Sequence, residues 1–174
     1  MKKFLGLFLV GIFFTTTALY AQKTELKFGH INSNELLSLM PERATATTQL
    51  QEYGQMLQKE MEAMQAEYQT KVNAYVEKQA TYSDLVKKSK ETEIQEMQRR
   101  IQDFQSTAQQ DFQQKETELM QPIIDKAQAA IEKIGKENGF IYIFDISNGS
   151  VAYFSAQSTD ILPLVKKELG IVTQ

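Results

Sequence analysis

Between Glu42 and Ile134 the chain holds one glycine, Gly54, and one proline, Pro122. The rest of that stretch is dense in Gln, Glu, Lys, Ala and Met, all good helix formers. Its apolar side chains recur at a fixed interval. Leu50, Met61 and Val72 stand 11 residues apart, as do Tyr53, Met64 and Tyr75. Further along, Met97, Ala108, Leu119 and Ala130 keep the same interval, and so do Ile101, Phe112, Ile123 and Ile134. An 11-residue repeat is about 3.67 residues per turn, so the stripe hardly drifts around a straight helix. Two such helices can lie side by side with little supercoil. The pattern therefore predicts an antiparallel hairpin, Glu42 to Val86 followed by Ser89 to Ile134, with the bend at Lys87-Lys88-Ser89-Lys90. About 45 residues per helix give an arm of roughly 65 Å. One unbroken rod of about twice that length is the rival geometry. Pro122 removes a helical donor and predicts a kink near the foot of the arm.

The two chain ends read differently. Leu26 to Asn32 alternates apolar and polar side chains, with Leu26, Phe28 and then His30 or Ile31 on one side, which predicts a strand. Ser33 or Asn34 can cap a short helix, Glu35 to Met40, and Pro41 stops it or opens the next one. After the arm, Gly135 or Gly139 can end the second helix by taking positive φ. Phe140 to Ile146 is the richest β segment in the chain. Asn148-Gly149 then predicts a tight hairpin, with Val151 to Phe154 as the returning strand. Ser158 to Asp160 supplies a cap for a last short helix carrying Pro163 and ended by Gly170. The domain plan is thus a base from residues 22–41 and 135–174 and an arm from 42–134, tip near 86–90. A base of about 60 residues is marginal alone and leaves sheet edges open. Association through the base would cover them.

The first 21 residues have the parts of a secretory signal peptide: Lys2 and Lys3, an apolar run Phe4 to Phe14, and Ala21 at the cut. That run is too short for a membrane span of about 20 residues. The whole chain has net charge −3, and losing Lys2 and Lys3 makes the exported chain −5. An acidic chain is poorly suited to nucleic acid, where Lys and Arg must meet phosphates. The chain has no cysteine, hence no disulfide, no thiol nucleophile and no Cys/His metal set. His30 is the only histidine, and nothing near it in sequence could make it a base. No phosphate loop or nucleophile elbow occurs. The reading is a binding or structural protein, not an enzyme, with no cofactor and no metal.

Binding surfaces can still be nominated. Met is adaptable and is over-used on promiscuous binding surfaces. The arm carries most of the methionines together with several tyrosines, so Tyr53, Met56, Met64, Tyr68, Tyr75, Tyr82 and Leu85 are candidates for client contact. Lys87, Lys88 and Lys90 would mark the arm tip, where a transient membrane contact would fall.

The chain resembles the Skp/OmpH family of periplasmic chaperones. The likeness rests on the signal peptide, the segment Lys27-Phe28-Gly29-His30-Ile31-Asn32 and the charged helical middle. It extends to the tail from Lys136-Glu137-Asn138-Gly139-Phe140 through Tyr153-Phe154 to Asp160-Ile161 and Val165. The resemblance implies an α+β fold: a long helical hairpin, or coiled-coil tentacle, on a small β-rich base that assembles as a homotrimer. Phe28, Ile31, Phe140, Tyr142, Phe144 and Tyr153 would then belong to the trimer base. The implied function is ATP-independent holding of unfolded outer-membrane proteins between the arms, in the periplasm of a Gram-negative bacterium. A structural spacer of the envelope, meeting a folded partner at the tip, is the alternative. Two features depart from the family. Its best-known member has basic tentacles, whereas residues 42–134 here carry 12 basic and 16 acidic side chains, net −4. Leu162-Pro163 follows Asp160-Ile161 where a threonine is common.

Overall fold

The computed structural model describes residues 26–171; the signal-peptide expectation lies outside them. Strand β1 (Lys27–Ile31) opens the base and is followed by α1 (Ser33–Leu39) and α2 (Pro41–Lys78). A single 3₁₀ turn, Gln79–Thr81, reverses the chain into α3 (Asp84–Glu137). Strand β2 (Phe140–Asp145), strand β3 (Thr159–Asp160) and α4 (Leu162–Glu168) complete the base. The helical hairpin is therefore present, and the single-rod rival is not. With 38 residues, α2 rises about 57 Å.

The bend lies several residues before the expected one. Ser83, not Ser89, caps the returning helix: its Oγ accepts from the Val86 backbone N–H at 3.4 Å. Lys87, Lys88 and Lys90 consequently sit inside the first turns of α3 rather than in the bend. No glycine or proline marks Gln79 to Ser83; a short 3₁₀ turn reverses the chain without one. At the base, Asn32 rather than Ser33 or Asn34 caps α1, its Oδ1 accepting from Glu35 N–H at 3.1 Å. Helix α3 runs through Pro122 and Gly135 to Glu137, and Gly139 beyond it takes φ +67°. Gly135 stays helical and buried, since a Cβ there would meet Ile143 Cδ1 at 3.1 Å.

The sheet differs from the expected hairpin. Its order is β2-β1-β3 and both pairings are parallel. Parallel neighbours need a crossover connection, and the whole arm is the crossover from β1 to β2. Val151 to Phe154, expected as the returning strand, forms no strand. Asn148 Oδ1 accepts from Ser150 N–H at 3.0 Å and Gly149 has φ +70°, so the chain does turn there. The two residues that pair with β1 come later, opposite Gly29 and His30. Long-range pairing of Thr159–Asp160 with β1 takes the place of a local antiparallel partner.

The inward side of β1 is Gly29 and Ile31, not Phe28. Gly29 lets Ile161 Cγ2 and the Phe140 ring approach to 3.1 and 3.2 Å of where a Cβ would stand. Ile31, Leu36, Met40, Ala46, Ile123, Ala127, Ala130, Ile134, Ile161, Leu162 and Val165 form one buried cluster. That cluster joins the sheet to the feet of both long helices. Above it the arm buries only Met64 and Met97, as expected of a pair of helices with no room for a core.

Candidate functional site

The apolar stripe read from the sequence is the seam of the hairpin. Leu50, Tyr53, Leu57, Met61, Met64, Tyr68, Val72 and Tyr75 are turned inward on α2. On α3 the residues Ile94, Met97, Ile101, Phe104, Ala108, Phe112, Leu119 and Ile123 answer them. The nominated client residues thus divide. Tyr53, Met64, Tyr68 and Tyr75 face the partner helix, with Met64 only 9% exposed. Met56 and Leu85 project outward, at 53% and 81% exposed. Tyr82 sits in the bend, its ring 6.4 Å from that of Tyr75.

Two of the seam tyrosines also tie the helices together through their hydroxyls. Tyr53 donates to Asp111 and Tyr75 donates to Glu91. Each carboxylate bond favours the neutral phenol, which raises the tyrosine pKa. At the foot of the arm Lys126 pairs with Glu42, and this hydrogen bond holds the Glu42 carboxyl below its usual value. Lys90, nominated for the tip, is engaged with Glu93 at 2.9 Å. Lys87 is half-buried and Lys88 exposed.

The outer face of the sheet is the second surface. Phe28 stands opposite Tyr142, and His30 opposite Phe144. The Phe28 and Tyr142 rings are stacked with centroids 6.4 Å apart, and Tyr142 and Phe144 follow at 6.0 Å. Tyr142, Phe144, Tyr153 and Phe154 are 61%, 45%, 82% and 46% exposed. Ile31 and Phe140, nominated with them, belong to the interior instead: Ile31 is 2% exposed and Phe140 packs against the buried cluster. Alternation turns Ile31 away from Phe28 and His30, and the register shift between Lys27 and Phe28 puts Phe140 out of phase with Tyr142 and Phe144. A cavity of about 900 Å³ opens between this face and residues 150–158. His30 lines it, with Nδ1 2.9 Å from Ser158 Oγ and its ring 4.2 Å from that of Phe154. The histidine anchors the irregular segment to the sheet.

Asp145 ends β2 and holds α1 in place. Its Oδ1 accepts from the Ser33 and Ser147 backbone N–H groups, and its Oδ2 accepts from Ser33 Oγ at 2.5 Å. Burial alone would raise this carboxyl, but the hydrogen bonds from Ser33 and Ser147 outweigh it and leave the pKa below the usual value.

The comparisons with known proteins speak to this architecture. The family model for outer membrane protein (OmpH-like) matches residues 27–169, from the first residue of β1 to the end of α4. The chain belongs to the OmpH-like family. A crystal structure of an OmpH-like protein from Caulobacter crescentus CB15 shares the fold, with a TM-score of 0.70 at 13% identity over 83% of each chain. No curated protein matches the chain. Within this OmpH-like chain, no helix among the described residues is long and apolar enough to cross a membrane. The aromatic sheet face, the bend and the flanks of the arm are the surfaces left for partners.

Proposed function

We propose that this OmpH-like protein is a periplasmic chaperone that holds unfolded outer-membrane proteins without ATP. The Caulobacter protein of the same fold is itself described as a candidate outer membrane chaperone. The observation that carries the reading is a mismatch of surfaces. The arm has no interior in which to shelter a client, while the base leaves Tyr142, Phe144, Tyr153 and Phe154 uncovered. Contiguous exposed aromatics of this kind mark an interaction surface. Three copies joined through those faces would raise three arms around a common space. The client would be held there by many weak contacts whose valency raises the total. Export by the signal sequence in residues 1–21 would bring the chain to its clients.

The decisive experiment dilutes a urea-unfolded outer-membrane barrel into buffer with and without the exported chain and follows light scattering. Suppressed aggregation, with a trimer mass for the chaperone alone, is expected. Unchanged aggregation at a stoichiometric excess of trimer rejects the proposal. A second reading, an envelope spacer that meets a folded partner, draws support from Leu85, 81% exposed beside the bend. It predicts crosslinks from Leu85 to one folded protein and indifference to unfolded ones. The bend is also where any passing contact with a membrane would occur.

A further inference from the structure

The two broad faces of the arm differ in chemistry. On α3 the residues after the six seam positions Met97, Ile101, Ala108, Phe112, Leu119 and Ile123 are Gln98, Gln102, Gln109, Gln113, Met120 and Ile124. The residue before each is Glu96, Arg100, Thr107, Asp111, Glu118 and Pro122. Successive helical residues are about 100° apart, so these two sets flank the seam on opposite sides. The first set has no charge; the second has four. Helix α2 repeats the division. Its residues after the seam positions between Gln51 and Val76 include one charged side chain, Glu62, whereas those before it include Glu52, Glu60, Glu67 and Lys71.

The preceding flanks of both helices meet on one face of the hairpin. Thr45 and Gln49 share a shallow groove there with Pro122 and Lys126. The cross-helix bond between Tyr53 and Asp111 uses the same flank of α3. The flanks poor in charge therefore occupy the other face. Gln98, Gln102, Gln109 and Gln113 are all exposed. None of their amides has a hydrogen-bond partner among the described residues. Among the arm's glutamines, amide hydrogen bonds are made by Gln58 with Glu62, Gln69 with Asn73, Gln121 with Asp125 and Gln128 with Glu132.

We infer that this glutamine track is the surface that holds the client, and that it grips the client's backbone rather than its side chains. The inference rests on the holdase reading above and names the face and the chemistry. A primary amide offers both a donor and an acceptor, the same pair that a peptide unit presents. The track repeats every 11 residues, a rise of about 16.5 Å. Five residues of extended chain span about 17 Å, so a strand laid along α3 meets the same amides in each repeat. Charge complementarity points the same way. A face this poor in charge suits an uncharged extended backbone and gives little hold on an acidic or basic surface. Met120 and Ile124 continue the track at its foot and would take apolar client side chains. The grip is indifferent to client sequence, and an acidic arm does not impair it.

The test uses the full exported chain and an unfolded outer-membrane barrel. A photo-crosslinking residue is placed at Gln102 or Gln109, and in parallel at Arg100 or Thr107. Most client adduct is expected from 102 and 109; equal or greater adduct from 100 and 107 overturns the inference. The fourfold variant Q98A/Q102A/Q109A/Q113A should keep its helical circular dichroism, since alanine favours helix. It should bind the client about ten-fold more weakly, as loss of a few net hydrogen bonds requires. Wild-type affinity should change little between low and physiological salt, unlike that of an ionic grip. If the wild type protects the client but the variant binds equally well, the track fails and the chaperone reading stands. If the wild type does not protect the client, the chaperone reading itself fails.

Discussion

Gly54 of α2 lies directly against Phe112 of α3: a Cβ added to Gly54 would stand 3.2 Å from the ring's Cε2. The only glycine of the arm is thus the recess that receives an aromatic side chain of the opposing helix. Tyr53 and Asp111, one residue back on each strand of the hairpin, are hydrogen-bonded. Together the four residues fix the register of the two helices near the lower third of the arm.

Substitution of Gly54 separates helix propensity from this fit. Gly54→Ala gains about 1 kcal/mol of propensity and asks the ring to yield slightly, so its stability should stay within about 1 kcal/mol of wild type. Gly54→Val drives further carbons into the ring and should cost about 1–3 kcal/mol by overpacking. Urea unfolding followed by circular dichroism decides between them. A valine variant as stable as the alanine one would mean that Phe112 does not depend on the recess.

The true cap of the returning helix can be told from the expected one. Ser83→Ala removes the Oγ that accepts from Val86 and should cost about 1 kcal/mol locally. Amide exchange over residues 84–87 should accelerate. Ser89→Ala, inside α3, should leave those amides as they are. The opposite ranking would move the bend back to Lys87–Lys90.

Asp145 makes the base acid-sensitive in a defined direction. The hydrogen bonds from Ser33 and Ser147 hold its folded pKa below the ordinary aspartate value. A depressed carboxyl contributes its full stability above the unfolded pKa and loses it as the pH falls through the lower folded value. Asp145→Asn should cost about 1.5–3 kcal/mol at neutral pH, since charged hydrogen bonds to Ser33 and Ser147 are lost. The gap between wild type and variant should close as the pH falls below the ordinary aspartate value of about 4 and through the lower folded one. A gap that stays constant across that range would show that the carboxylate charge contributes nothing.

The aromatic face should govern assembly. Tyr142→Asp combined with Phe144→Asp places two charges where exposed rings now stand in a row. The mass by light scattering should drop from that of the proposed trimer to that of a single chain, with the helical signal of the arm retained. A variant that remains trimeric would assign assembly to another surface.

The arm was legible in the sequence because its constraint is periodic and local. Leu50, Met61 and Val72 must share a face if the segment is helical at all, and the structure places them in the seam. The bend was misplaced because the eye goes to Lys87-Lys88-Ser89-Lys90, whereas a 3₁₀ turn at Gln79–Thr81 needs no distinctive residue. The base was harder for a different reason. Asn148-Gly149 is a strong local turn signal, and the turn exists, but what pairs with β1 is decided by contacts over a hundred residues apart. Phe28 carries the ring that dominates its strand, yet it lies on the outer face. Burial follows Gly29 and Ile31, since only the small residue admits Ile161 and Phe140. The glutamine track escaped notice because polar helix positions read as mere solvated filler. It stands out only when the seam is known and each flank can be compared with its opposite.

The parallel pairing of β1 with β2 also bears on the order of events during biogenesis. Ser33 and Asp145, which close the base, are separated by 112 positions, with the entire hairpin between them. Strand β1 leaves the ribosome long before its neighbour, and must wait with an unsatisfied edge until the C-terminal segment arrives. The hairpin, whose contacts need only its own two limbs, can zip from the bend downward in the meantime and bring the two late partners together. A chain cut short anywhere before β2 would thus keep a folding arm on an unfinished foot, and a protease that recognises loose ends could sort truncated copies from complete ones.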